Sequence, residues 1–357
     1  MRATRGLILS SDEDAIRHWP LRPLRPELVP VANNALLMLE LRALHDAGMR
    51  EIGIVGDSAL WRAATDLVGE ADLDVDIVHI PEPANAGLTG RLLAAQSFVG
   101  DRPFVVELGG SLTEHDRRRS VELLVRKRLS AVVVIAADWS RTPQVITLRR
   151  SDPQTPRRCA SLAHDIIAGA NTFIFSSEIF DATREAMEAH GGEEIDIAEA
   201  VVALVETRGQ VEAAIATGWS TRIEGVEDLL EINRLVLGSL RPRQLPEKFA
   251  HNRIMGPVAI DDTATVESCV LNGPLAIGGD AHITDSYIGP YCAIGSGAKI
   301  EGAEIERSVV LPAAWISNVG VRVAGSVIGS GARITREFVP PRALQLWIGQ
   351  DARVSLA

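Results

Sequence analysis

Past Pro257 the chain repeats a small apolar residue every sixth position, and few folds accommodate such a pattern. Ile260 and Val266 stand six apart, as do Ile277 and Ile283. Ile288, Ile294 and Ile300 continue the period, followed by Val310 and Ile316, then Ile328 and Ile334. Glycines fall between them in turn-like contexts: Ile277-Gly278-Gly279, Ile288-Gly289-Pro290, Ile294-Gly295-Ser296-Gly297 and Ile328-Gly329-Ser330-Gly331. Ile and Val at this spacing are rare in helical proteins. The pattern is the signature of a left-handed parallel β-helix of hexapeptide repeats. A triangular coil of that kind cannot bury its own face, so neighbouring coils stack into a continuous core.

Upstream, strands alternate with helices. Gly6-Leu7-Ile8-Leu9, closed by Ser10-Ser11, reads as a buried first strand. Residues 34–48 carry apolar side chains at helical spacing and end at a glycine. Strands follow at 51–55, 75–80, 103–108, 131–136, 172–175 and 211–215, with helices at 60–68, 89–98, 117–128, 177–189, 197–206 and 226–237. Alternation with β-branched strands implies a Rossmann-like α/β domain, its sheet mostly parallel with helices on both faces. A length of 357 residues favours two domains. The expected division is an α/β domain over 1–240, a Pro-containing linker over 241–256 and the β-helix over 257–357.

In an open α/β sheet, ligands bind beyond the carboxyl ends of the parallel strands. That rule puts the stretch 6–31 at the centre of any nucleotide site. Phosphate loops normally carry glycines, which let backbone N–H groups approach the oxygens. Here no glycine lies between Ser10 and Pro30, and Asp12, Glu13 and Asp14 stand where phosphates would lie. A net charge of −11 argues against a nucleic-acid partner. Cys159, Cys269 and Cys292 are odd in number and widely spaced, which indicates neither a disulfide framework nor a zinc site. His18, His79, His115 and His164 have no metal-ligand spacing. No run approaches the roughly 18 apolar residues that span a bilayer, and the first strand is too short for a signal-peptide core. A cytoplasmic protein without a membrane partner is expected.

The wording of the chain resembles the long-form glucose-1-phosphate thymidylyltransferases, whose α/β domain precedes a left-handed β-helix. The resemblance rests on Gly6-Leu7-Ile8-Leu9, Leu28-Val29-Pro30-Val31-Ala32-Asn33, the run 47–55, and Pro81-Glu82-Pro83. It continues through 104–109, 227–234, Asn272-Gly273-Pro274, 286–291 and 341–349. The resemblance implies attack of a sugar-1-phosphate on the α-phosphorus of a nucleoside triphosphate, giving a nucleotide sugar and pyrophosphate. That chemistry needs a metal ion and fixed cations at the phosphates.

At the positions implied for those roles the chain departs. Gly110 stands for one Mg2+-binding aspartate, and Arg222 for the other. The glycine-rich loop is replaced by 11–17, with Arg17 or Ile16 in place of its arginine, depending on one gap. Glu27 or Pro26 replaces one lysine, Asp152 replaces the second, and Ile80 replaces the base-reading glutamine. No catalytic position is intact and no metal ligand remains, so no cofactor is expected. Substrate-binding candidates are Ser10, Ser11, Arg17, Gly87, Gly109, Asn171, Glu194 and Asp196. Each has a plainer reading: Glu194 and Asp196 as acids at a helix start, Gly87 as a turn glycine, Arg222 as filler of the metal's space beside Glu224. Arg117, Arg118 and Arg119 read as a solvated helix face rather than a phosphate site. Cys159, among Arg157 and Arg158, has no evident reaction partner.

Two functions fit. One is a non-catalytic paralogue that regulates or assembles with an active nucleotidyltransferase, or binds a sugar nucleotide. The other is an active nucleotidyltransferase with an atypical site in deoxysugar or secondary-metabolite biosynthesis. Expected partners are a nucleotide or sugar phosphate, and further subunits in a homo-oligomer or a hetero-oligomer with an active paralogue.

Overall fold

In the strand Arg5–Leu9, side-chain alternation sends Leu7 and Leu9 into one apolar cluster and Ile8 into another. These clusters are the two faces of one sheet. A computed structural model describes residues 4–11, 21, 24–84, 86–135, 145–148, 167, 169–208, 210–242 and 244–336. Asp12, Glu13, Asp14, Arg17, Asp152, Cys159 and the closing stretch 341–349 lie outside the described residues. The chain divides into two compact units. One comprises Met1–Arg17, Pro26–Leu28 and Leu36–Arg222, and the other His18–Arg25, Val29–Ala35 and Ile223–Ala357.

The eight-stranded sheet of the first unit runs Asp76–Pro81, Glu51–Gly56, Arg5–Leu9, Phe104–Leu108, Thr172–Phe175, Ala131–Ile135, Val211–Ile215, Val145–Leu148. Neighbours are parallel except at Thr172–Phe175, which is antiparallel to both flanking strands, and at the edge strand Val145–Leu148. Helices Leu36–Asp46, Ser58–Ala71 and Arg117–Lys127 bring Leu41, Leu60 and Leu124 to one face. Helices Leu88–Ala94, Glu178–Ala189 and Ile197–Arg208 bring Leu92, Ile179 and Val201 to the other. The α/β architecture expected from the strand–helix alternation is therefore present, covered on both faces.

The second unit contains the parallel β-helix, built from three five-stranded sheets. Its core is three columns of inward side chains held in register. They are Ile260–Ile277–Ile294–Val310–Ile328, Val266–Ile283–Ile300–Ile316–Ile334 and Ile254–Leu271–Ile288–Ile305–Val323. The third column explains why the six-residue period breaks. Leu271, Ile288 and Ile305 follow Val266, Ile283 and Ile300 by five residues, while Val323 follows Ile316 by seven, so the corner before the third column never keeps the spacing of six. Gly295 marks a close approach rather than a turn: a Cβ there would lie 2.7 Å from the Pro312 backbone nitrogen.

The stretch 241–256, read as a linker, carries the 3-10 turn Glu247–Phe249 and the strand Arg253–Met255, which pairs with Val270–Asn272. Phe249 is buried in the β-helix core cluster and Ile254 heads the third column, so this stretch already packs as the first coil. Helix Val226–Gly238 belongs to the same unit. Its Leu237 packs with Ala276, and Val236 and Ala259 join the cluster. Ala259, Ala276 and Ala293 form an outward column of small residues. Among the described residues no helix is long and apolar enough to cross a membrane.

Candidate functional site

The carboxyl ends of Arg5–Leu9 and Phe104–Leu108 lie side by side, with Leu9 paired to Leu108. Two tight segments leave them, Ser10-Ser11 and Gly109-Gly110-Ser111. The Gly109 N–H donates to the Leu9 carbonyl at 2.6 Å, and the Ser11 hydroxyl donates to the Gly109 carbonyl at 3.1 Å. Gly110 takes φ +77°, a left-handed conformation that favours glycine. Strand Ser111–Thr113 then pairs antiparallel with Ser220–Arg222, which sets Arg222 opposite Ser111. Asn171 reaches the same ribbon, its side-chain amide donating to the Ser220 hydroxyl at 3.1 Å. Ser10, Ser11, Glu27, Gly109, Gly110, Asn171 and Arg222 are thus brought to one strand end.

Beneath them lie three buried carboxyl groups. Glu27, fully buried, accepts the Ser11 N–H at 2.6 Å. Glu40, from helix Leu36–Asp46, accepts the Ser111 N–H at 3.2 Å through Oε1, while its Oε2 has no hydrogen-bond partner among the described residues. Glu107 accepts from Arg117 Nε at 2.5 Å and from the Thr172 hydroxyl at 2.7 Å. Burial, then the charges of Glu27 and Glu107, push the Glu40 carboxyl well above its ordinary value. Neither Glu40 nor Glu107 is a candidate in the sequence reading. The signal exists: Glu40 sits on the apolar face formed by Leu36, Leu37, Leu41 and Leu44, where a charge has no solvent to face.

Arg117 requires a correction. It is not on the solvated helix face but 4% exposed, paired with Glu107 and donating to the Thr113 carbonyl at 3.1 Å. From the start of helix Arg117–Lys127, this buried arginine neutralises a carboxylate that the strand buries. Arg118 and Arg119 are exposed, as expected of such a run. Next to them His115 is held neutral: burial, then Arg117, lowers its pKa to about 4.

Helix Leu88–Ala94 supplies the other rim. Arg91, 3% exposed, donates to the Ser10 carbonyl at 3.1 Å and to Glu82 at 3.2 Å. Glu82 also accepts from the Ser10 hydroxyl at 3.2 Å. At the start of this helix Glu194 accepts the N–H groups of Gly87 at 2.7 Å and Gly90 at 3.0 Å. Asp196 and Glu199 cap each other's backbone at the start of Ile197–Arg208, with contacts of 2.7 and 3.1 Å. Gly87 and Glu194 therefore meet, and Asp196 sits in a helix cap. Ile80 is 7% exposed in the sheet core, so the position implied for base reading presents an apolar packing group.

In chemical terms, the backbone donors at Ser11, Ser111, Gly87 and Gly90 all face carboxyl groups. At the two positions the resemblance assigns to Mg2+ ligands, Gly110 has no side chain and Arg222 carries a positive charge. Hard divalent cations need oxygen ligands, so this pair does not fit the ion. Among the described residues no group of three or more His, Cys, Asp or Glu could hold a metal.

No protein-family model matches the chain. It is 29% identical over 354 residues to a glucose-1-phosphate thymidylyltransferase of Streptomyces antibioticus, covering 94% of this chain and 96% of the relative. It is 28% identical over 369 residues to the low-salt glycan biosynthesis nucleotidyltransferase Agl11 of Haloferax volcanii, covering 99% and 100%. A Bacillus anthracis structure assigned to the glucose-1-phosphate thymidylyltransferases, solved with a sucrose, superposes with TM-score 0.52 at 19% identity, covering 70% of this chain and 99% of that one. A UDP-glucose pyrophosphorylase complexed with UDP-glucose gives TM-score 0.50 at 15% identity, covering 66% and 99%. Along nearly its whole length, then, the chain is similar to glucose-1-phosphate thymidylyltransferases and to a nucleotidyltransferase of glycan biosynthesis.

Proposed function

We propose that this chain is a non-catalytic nucleotidyltransferase relative that regulates or assembles with an active paralogue, or holds a sugar nucleotide without turning it over. The observation that carries this reading is the occupation of the backbone donors by carboxyl groups, Ser11 by Glu27 and Gly87 and Gly90 by Glu194. A triphosphate would have to displace those carboxylates and then lie beside them. A site that held no metal ion at Gly110 and Arg222 would forfeit several kcal/mol of transition-state stabilisation. At about 1.4 kcal/mol per tenfold, that is roughly a thousandfold or more in rate. The second reading is an active nucleotidyltransferase with relocated chemistry, and the activity in the names of its relatives supports it.

Purified protein incubated with glucose-1-phosphate, Mg2+ and each nucleoside triphosphate separates the two. Expected is pyrophosphate release no faster than in an Arg222→Ala control. Turnover above that control overturns the proposal. Calorimetry with UDP-glucose and the triphosphates then separates the binding role from the assembly role: heat without turnover supports a sensor. No heat with any of them leaves assembly, which size-exclusion chromatography with an active paralogue tests.

A further inference from the structure

Glu40 is an oddity that nucleotidyl transfer does not require. Its carboxyl is 1% exposed, one oxygen accepts the Ser111 N–H, and the other has no hydrogen-bond partner among the described residues. A carboxylate in that setting carries a full charge against an apolar helix face, which is costly unless neutralised. The groups around it do not help. From the turn Pro26–Leu28 comes Glu27, and from strand Phe104–Leu108 comes Glu107, both acids. The guanidinium of Arg117 is committed to Glu107. Strand Ser111–Thr113 contributes only backbone N–H groups, and Arg222 stands across from Ser111 on the paired strand. The remaining way to neutralise the group is a proton.

We propose that Glu40 is a built-in proton store: its carboxyl stays protonated in the folded chain, and losing that proton loosens the Gly109–Ser111 turn that it braces. The device sits beneath the candidate site but does not depend on whether that site binds or reacts. Raising the pH would place a third negative charge beside Glu27 and Glu107, directly under a turn whose Gly110 and Ser111 N–H groups face that carboxyl.

The sign follows from linkage. A carboxyl whose folded pKa lies above its unfolded value contributes stability that is complete below the unfolded value of 4.5 and lost as pH rises toward the folded one. Within that window the ratio of folded to unfolded chain falls about tenfold per pH unit from this group alone.

Three measurements on the whole protein test the proposal. Urea denaturation from pH 5.5 to 8.5 should show Glu40→Gln gaining on the wild type as pH rises, by up to about tenfold in folding equilibrium constant per unit. Parallel pH profiles overturn it. The second measurement can already fail on the wild type alone. Infrared difference spectra of the wild type at pH 7 should show the carbonyl band of a protonated carboxylic acid, and its absence overturns the proposal. So does a band that survives in Glu40→Gln but disappears in Glu27→Gln. Amide exchange at Ser111 should accelerate with pH beyond its intrinsic rate in the wild type and not in Glu40→Gln.

Discussion

In the β-helix, apolar side chains meet apolar side chains coil after coil, as where Ile277, Ile294 and Val310 stack in one column. Around Gly109–Ser111 the buried groups are instead Glu27, Glu40 and Glu107, the first two held by backbone N–H groups and the third by an arginine. Both regions exclude water. In the first, a residue's worth is set by the volume it fills and is similar among the interior coils, falling only at the partly buried end. In the second it is set by whether a charge finds a counter-charge. The difference separates a scaffold that tolerates local drift from a cluster in which one substitution changes the state of its neighbours.

The sharpest way to break this contrast is Arg117→Met. Removing one partner of a buried ion pair should cost about 3–5 kcal/mol, because Glu107 is left charged beside Glu40. Urea denaturation measures the loss, and adding Glu107→Gln should recover part of it. Failure of the double variant to recover any would mean that packing, not charge, sets the cost here. In the β-helix, Ile294→Ala should cost about 2–5 kcal/mol by opening a cavity. Ile334→Ala, at the partly buried end of a neighbouring column, should cost less. Equal losses at the two sites would contradict the stacked-coil account.

A pH series sharpens the comparison further. His115 is neutral when folded, with its pKa lowered from 6.5 to about 4. The unfolded chain therefore takes up the proton first as pH falls through 6.5, and stability is lost until the folded value is passed. His115→Asn should remove that acid loss, on the order of 2 kcal/mol, without changing stability at pH 8. The smallest effect is expected at Asp196→Ala: loss of a helix cap costs about 1 kcal/mol. If the side chain serves only as a cap, thermal melting should register the whole effect and any ligand affinity should be unchanged.

What could be read from the sequence follows the same division. Columns such as Ile260–Ile277–Ile294 are legible because each coil repeats the last, and only the five-residue corner before Leu271 and Ile305 hides the third face. The strand end at Ser10-Ser11 is legible because topology fixes where an α/β sheet opens. The carboxyl cluster is not, because its contacts are non-local: Glu27 meets a backbone N–H 16 residues away, and Glu40 one 71 residues away. Nothing in a run of three arginines announces that Arg117 alone turns inward, since that depends on Glu107 arriving from the neighbouring strand.

The antiparallel strand Thr172–Phe175 carries a consequence for how the chain is made. It lies between Phe104–Leu108 and Ala131–Ile135, both of which precede it. A nascent chain therefore holds Phe104–Leu108 and Ala131–Ile135 unjoined until residue 175 has left the ribosome, and Ala131–Ile135 keeps a second open edge until Val211–Ile215 follows. Unpaired edges of this kind recruit other strands. Chains stalled shortly before Thr172 should bind holdase chaperones, and chains stalled beyond Ile215, with enough tether to clear the exit tunnel, should release them.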